Sequence, residues 1–196
     1  MLLDDSTIRT QINYRSVSIL EDTAAYLFKI VFLGDGSVGK TSLVGRFVYD
    51  SFEGDYLATI GTDIHLKLVN IDDILVKLVI WDIAGQDNFA QLRKAYYMNA
   101  SGAFLVYDTS RPETIERVDN WIKALYDVTG KIPLIVCENK TDLESQISQE
   151  VKDAVVKKHN VKMIKTSAKE DTNVEEAFTE MTKIILERAR NKKVMQ

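Results

Sequence analysis

The chain has 196 residues, 45% of them hydrophobic and 28% charged, with a formal net charge of −4 at pH 7. That length and mix describe an ordinary globular domain, able to bury about 70% of the surface its unfolded chain exposes. The acidic balance excludes nucleic acid as the main partner, because binding to a phosphate backbone rests on an excess of Lys and Arg.

Residues 1–25 contain neither glycine nor proline and alternate only weakly between apolar and polar side chains. They read as an extension before the domain, either flexible or one added strand. The N-terminus has no basic stretch followed by an apolar core, and no apolar run approaches the ~18 residues of a membrane span. A cytoplasmic protein is therefore expected. Leu2 stands where a myristoylation signal has Gly, and the chain ends KVMQ with no cysteine to prenylate, so no encoded lipid anchor is expected.

From Leu27 onward, apolar strand-like runs alternate with helical patterns, the signature of βαβ units and a parallel sheet. The strand candidates are LFKIVFL, TDIHLKLVNI, ILVKLVIWD, GAFLVYD, IPLIVCE and VKMIKT. Only Asp72 and Asp73 separate the second from the third, which leaves no room for a crossover helix and predicts an antiparallel hairpin. Helices are expected near residues 40–49, 89–98, 112–128, 149–159 and 173–190, with Pro112 in the first turn of the third. In the last, Val174, Ala177, Phe178, Met181, Ile184, Ile185 and Ala189 form a core-facing stripe.

Cys137, the only cysteine, lies in an apolar run and reads as a buried small hydrophobe; no intramolecular disulfide and no Cys-rich zinc site can form. His65 and His159 are isolated and suggest no metal cluster. The expected fold is a doubly wound α/β domain over residues 26–191, with a six-stranded, mostly parallel sheet, one antiparallel hairpin strand and about five helices. Residues 192–196 are a short basic tail, read as solvated.

Three of the nine glycines, Gly34, Gly36 and Gly39, crowd directly behind the first strand. Fixing a glycine costs backbone entropy, so the crowding needs a reason. GDGSVGKT, residues 34–41, fits the phosphate-loop pattern, in which backbone N–H groups and a helix N-terminus surround an anion. Gly34, Asp35, Gly36, Ser37, Val38, Gly39, Lys40, Thr41 and Ser42 are therefore candidate nucleotide-binding residues. Lys40 can reach the outer phosphates and Thr41 can ligate Mg²⁺.

Four later stretches narrow the nucleotide. WDIAGQD ends a strand with Asp82, able to hold Mg²⁺ through water, and Gly85 can bring a bare N–H to a terminal phosphate. ENKTDL supplies Asn139, Lys140 and Asp142, TSAKE supplies Ser167, Ala168 and Lys169, and YLATIG supplies Tyr56 and Thr59, the latter a further Mg²⁺ ligand. Each string alone is more often a plain loop. Five in this order, at strand ends and in the right loops, have almost no chance explanation.

The chain from about Leu27 to Arg190 resembles the Ras superfamily of small GTPases. The resemblance implies that Asp142 accepts from N1–H and the 2-amino group of guanine, a pair of donors adenine lacks. It implies that Asn139 braces the base loop, that the Lys140 stem and Phe52 flank the base, and that the Ala168 N–H meets the guanine oxygen. Gln86 would position the attacking water beside Gly36, with Lys40 and Thr59 completing the catalytic set. Thr59 and Gly85 would release when the γ-phosphate leaves, switching the protein between two states. An exchange factor, a GTPase-activating protein and effectors are then expected partners of a monomer, and slow unaided turnover is expected because no internal arginine finger is evident.

YLATIGTDI, WDIAGQD and AYYMNASGAFLVYD are most similar to the Rab branch. Trp81 and Tyr96 match two aromatic positions that Rabs show to effectors, while Ile64 stands where a phenylalanine is usual; the plain alternative for Trp81 is core packing. Glu138 replaces the usual small residue before the Asn, and the C-terminal cysteines of Rabs are absent, so membrane recruitment would go through a partner. Two rivals remain: a GTP-binding scaffold without hydrolysis, disfavoured by Gln86, Thr59 and Gly36, and a phosphate-loop kinase, which would carry an arginine-rich lid and no guanine-reading NKxD.

Overall fold

GAFLVYD and LIVCEN are buried along their whole length, so each strand must be covered on both faces, as in the interior of a parallel sheet. The computed structural model describes residues 24–52, 62–83 and 90–194. In chain order its elements are β1 (Tyr26–Leu33), α1 (Lys40–Tyr49), β2 (Thr62–Ile71), β3 (Ile74–Ile83), α2 (Ala90–Tyr97), β4 (Gly102–Asp108), α3 (Pro112–Glu116), α4 (Val118–Thr129), β5 (Leu134–Asn139), α5 (Gln149–His159), β6 (Lys162–Lys165) and α6 (Val174–Val194). The six strands form one sheet in the order β2-β3-β1-β4-β5-β6. Only the β2–β3 pair is antiparallel. Asp72 and Asp73 both take positive φ (49° and 65°), the geometry a two-residue type I′ hairpin needs.

The sheet has a core on each face. Ile30, Phe32, Leu78, Phe104 and Ile135 face α1 and α6, while Val31, Leu33, Leu105 and Val136 face α4. On the first face Phe47 of α1 stacks on Phe178 of α6 with ring centroids 3.7 Å apart, and Phe32 and Phe104 close around the same ring. β1 sits between β3 and β4, which are reached by connections on opposite sides. The loop after β1 therefore opens at the switch point of the sheet, where such folds form a crevice.

Two helices differ from expectation. The segment expected as one helix over 112–128 is two, with Arg117 between them at φ −88°, ψ −3°. No Gly or Pro marks that break in the sequence; it falls where Arg117 reaches across to Asp35. Pro112 does occupy the first turn of α3. The last helix runs to Val194, beyond the expected end at 190, since nothing in RNKKV stops a helix. The expected extension falls outside the described residues except for Ala24 and Ala25, of which Ala25 donates its N–H to the Leu75 carbonyl at 2.9 Å.

Because Phe178 is enclosed by three other rings, Phe178→Ala should cost about 3–5 kcal/mol. The denaturant midpoint at unchanged slope measures it; a loss below about 1 kcal/mol would mean that this cluster does not hold α6 to the sheet.

Candidate nucleotide site

The loop after β1 turns tightly because Gly34, Ser37 and Gly39 all take positive φ (128°, 63° and 96°). Sequence reasoning assigned the glycines to a phosphate cradle; packing supplies a second reason. A Cβ on Gly34 would lie 2.2 Å from the Val106 carbonyl oxygen, and one on Gly39 would lie 2.3 Å from Asn139 Nδ2. Gly36 itself is not in the left-handed region, a role taken by Ser37. Gly39 caps α1 without a side-chain hydrogen bond, and the first turn holds no acidic residue. The N-terminal N–H groups of that helix and its positive end are thus left to an external anion.

Lys40 curls back over the loop. Its Nζ donates to the carbonyls of Gly34 at 2.8 Å and Asp35 at 2.7 Å, which places a buried ammonium over the curve of the loop. Burial pushes its pKa down to about 8, against the Asp82 and Asp35 charges that raise it, and the Arg111 charge lowers it further. Beside it, Asp82 at the end of β3 is fully buried. Its Oδ2 accepts from the Thr41 hydroxyl at 2.5 Å, and its Oδ1 has no hydrogen-bond partner. Burial raises the Asp82 carboxyl above the ordinary range, and the Thr41 bond and Lys40 charge oppose that rise. An orphaned carboxylate oxygen beside a hydroxyl and a cation suits a hard divalent ion.

At the other end of the crevice, Asn139 closes β5. Its Nδ2 donates to the Val38 carbonyl at 2.9 Å, and its Oδ1 accepts from the Thr166 hydroxyl at 3.1 Å. Three separate loops are thereby tied through one buried amide. Asp142 is exposed, and its Oδ1 accepts from the Ser167 hydroxyl at 2.6 Å. Arg46 of α1 donates to the carbonyls of Ala168 (3.0 Å) and Lys169 (3.3 Å), so the helix behind the phosphate loop also fixes the 166–169 turn. Ser42 is partly buried in the first turn of α1, and Phe52 stands exposed three residues beyond that helix.

Asp35 and Lys140 were expected at this site, but their partners Trp121, Arg117 and Asp108, and Arg111 behind the loop, were not anticipated from sequence. Asp35 is buried, with Oδ1 accepting from the Trp121 indole at 2.8 Å and Oδ2 paired with Arg117 at 3.2 Å. Arg111 donates to the Gly36 carbonyl at 2.9 Å and to Asp108 Oδ2 at 3.2 Å. Lys140 also meets Asp108 Oδ2, at 2.6 Å. Burial would raise the Asp108 carboxyl, but the Lys140 and Ser110 hydrogen bonds outweigh it and hold the pKa below the ordinary value. A chain of contacts, Gly36 to Arg111 to Asp108 to Lys140, therefore links the phosphate loop to the base loop. Its only sequence signal was Asp108, an acidic residue closing a wholly apolar strand.

Ile64, Trp81 and Tyr96 lie on one surface. Ile64 is exposed and paired in register with Trp81, whose ring lies 6.1 Å from that of Tyr96 and carries the Lys29 ammonium 3.8 Å above it. Trp81 is half-buried and packs against the core on the α4 face of the sheet. Tyr56, Thr59, Gly85 and Gln86 lie outside the described residues.

The Ras family model matches residues 29–187. The chain belongs to the Ras family. Among curated relatives, Ras-related protein Rab-13 of Bos taurus is 37% identical over 164 residues, covering 82% of this chain and 81% of that one. RABA1i of Arabidopsis thaliana is 43% identical over 164 residues, covering 82% and 75%. This chain is therefore a Rab-like small GTPase, a switch that binds GTP and GDP and hydrolyses GTP. As in its relatives, regulators and effectors act with it in general terms.

The depressed Lys40 pKa has a direction that can be measured. In the free protein the ammonium loses its proton above pH about 8, while a bound polyphosphate favours the charged form. Binding then takes up a proton, so GDP affinity should fall by about tenfold between pH 7.5 and 9. Titration calorimetry in two buffers of different ionisation enthalpy reads both the affinity and the uptake. An affinity that stays flat over that range would mean Lys40 keeps its proton when free.

Proposed function

We propose that this site reads guanine with Asp142 and holds the phosphates with the 34–42 loop, and that the protein runs a GTP/GDP cycle with Mg²⁺. The observation that carries the proposal is the Asn139–Val38 hydrogen bond, which joins the NKTD stretch to the phosphate loop across the crevice. One ligand spanning both ends, a base joined to a polyphosphate, fits that arrangement.

The roles follow from the chemistry of each group. Backbone N–H groups of residues 36–42, the α1 N-terminus and Lys40 offset the phosphate charge. Among the described residues no three His, Cys, Asp or Glu side chains converge on a metal site. Mg²⁺ would therefore rest on Thr41, on Asp82 through water, on Thr59 and on the ligand's own oxygens. When bound, it neutralises charge on the β- and γ-phosphates. Gln86 orients the attacking water, Gly36 leaves room beside it, and Lys40 supplies positive charge next to the leaving phosphate, while Arg111 holds the loop from behind through the Gly36 carbonyl. Ser167 orders the Asp142 carboxylate, and Asn139, Lys140, Phe52, Tyr56 and Lys169 frame the base.

Thr59 and Gly85 sense the γ-phosphate, and the surface of Ile64, Trp81 and Tyr96 presents the result to an effector. A GTPase-activating protein supplying an arginine accelerates the step by roughly 10³–10⁵, and an exchange factor reloads the site. We assign residues 26–191 to the GTPase domain, 1–25 to an extension and 192–196 to a basic tail. No helix among the described residues is long and apolar enough to cross a membrane. The protein works as a cytoplasmic monomer, brought to membranes by a partner in trafficking or signalling.

Two substitutions test the roles at opposite ends of the site. Asp142→Asn should weaken GDP by about 100-fold and let xanthosine diphosphate compete, since the amide presents a donor where xanthine carries an oxygen. Equal competition by adenine nucleotides against the parent protein would refute guanine reading. Gln86→Leu should leave GTP affinity unchanged while slowing activator-stimulated hydrolysis at least about tenfold. Unaltered single-turnover phosphate release would assign the water to another residue.

A further inference from the structure

Glu138, the residue that departs from the family pattern just before Asn139, is buried at the end of β5. One of its oxygens, Oε1, accepts from Lys152 Nζ at 2.5 Å and from the Thr109 hydroxyl at 2.6 Å. Lys152, in the first turn of α5 and itself buried, also donates to Ser145 Oγ at 2.9 Å, and the Ser145 and Thr109 hydroxyls lie 2.9 Å apart. The second carboxylate oxygen, Oε2, is buried with no partner. Burial would raise the Glu138 carboxyl, but Lys152 and Thr109 outweigh it and keep the group ionised below its ordinary value.

A buried ion pair is a poor way to gain stability, because desolvating both charges offsets most of their attraction; its attested use is to fix one arrangement against others. Here the arrangement fixed is that of residues 140–148, the loop that carries Asp142. Besides the pair, the near end of that loop is held by Lys140 on Asp108, the Thr141 N–H on the Thr166 carbonyl at 3.1 Å and the Ser167 hydroxyl on Asp142, and its far end by the buried Ile147 side chain and the Gln146 N–H on the Thr109 carbonyl at 2.9 Å. The Glu138–Lys152 pair links the strand end before the loop to the helix after it. Ser145, three residues past Asp142, is seated on Lys152.

We propose that Glu138 and Lys152 are positioning residues for guanine recognition, setting where Asp142 meets the base and hence how fast guanine nucleotides leave. The proposal rests on Asp142 reading guanine. Neither residue touches the nucleotide in this scheme. The pair acts through the loop: two donors converge on one carboxylate oxygen, and the same two groups reach the Ser145 hydroxyl, which restricts the geometry the loop can take.

The test compares GDP with inosine diphosphate, which lacks only the 2-amino group that Asp142 accepts from. Dissociation rates and affinities of both are measured on full-length Glu138→Gln, Lys152→Met and the double variant, alongside thermal melts. Each single change should speed GDP release by about tenfold and shrink the preference for GDP over inosine diphosphate by a similar factor. The double should fall short of the product of the two, since one interaction is removed only once. Ser145→Ala, at an exposed position, provides a milder variant that will fold even if the buried changes do not; it should shift both readouts in the same direction by about threefold.

If the melts move while GDP release and base preference stay at parental values, the pair is structural only and the proposal fails. Should the buried variants not fold, an unchanged Ser145→Ala overturns it alone. A parent protein that does not prefer GDP over inosine diphosphate would instead refute the reading of guanine by Asp142.

Discussion

The hydrogen bond from Asn139 Nδ2 to the Val38 carbonyl is the constraint on which the site depends, because it joins segments 101 residues apart at a point with no slack. It needs Gly39, since any Cβ there would overlap the amide nitrogen at 2.3 Å. It also needs the Asn139 carboxamide oriented by Thr166, whose own N–H donates to the Glu138 carbonyl at 2.7 Å. A neutral hydrogen bond adds only about 1 kcal/mol net, but leaving its buried donor unpaired would cost about 1–3 kcal/mol. The asymmetry keeps the phosphate loop, the NKTD stretch and the TSAK stretch in one arrangement. A site organised in advance does not have to order itself during binding or catalysis.

Charge is distributed around that frame with the same logic. Lys40 and Asp82 are both buried and both displaced from their ordinary pKa in the direction that disfavours their charge. The strain of desolvation sits where a polyphosphate and a divalent cation would relieve it. Farther from the phosphates, Asp35 and Asp108 are satisfied by Trp121, Arg117, Arg111 and Lys140, and they lock the loops from behind. Asp82 Oδ1 is left without a hydrogen-bond partner, while the oxygens of Asp35 and Asp108 are bonded.

Much of the fold was legible because its signals are local. The six apolar runs became the six strands, and the two-residue Asp72-Asp73 turn became the hairpin, each written within a few consecutive residues. Strand ends at Asp82, Asn139 and Thr166 could be placed in the crevice for the same reason. What sequence missed lies in contacts between distant segments. The break at Arg117 answers to Asp35, 82 residues away, and Arg111 answers to Gly36, 75 residues away. Gly34 and Gly39 could be read as conformational glycines, but their close approach to Val106 and Asn139 exists only once β1, β4 and β5 lie side by side. Glu138 was visible as an odd residue in a familiar stretch; its partner Lys152, 14 residues on, carried no sequence signal of its own.

In the function proposed, one crevice holds a guanine nucleotide from base to phosphate. This is tested most directly by denaturing the purified full-length protein and identifying, by chromatography, the nucleotide it carries. GDP or GTP is expected at about one per chain, retained through purification in Mg²⁺ and lost when the metal is chelated. An adenine nucleotide in that position, or a protein that stays empty after incubation with excess GDP and Mg²⁺, would contradict it.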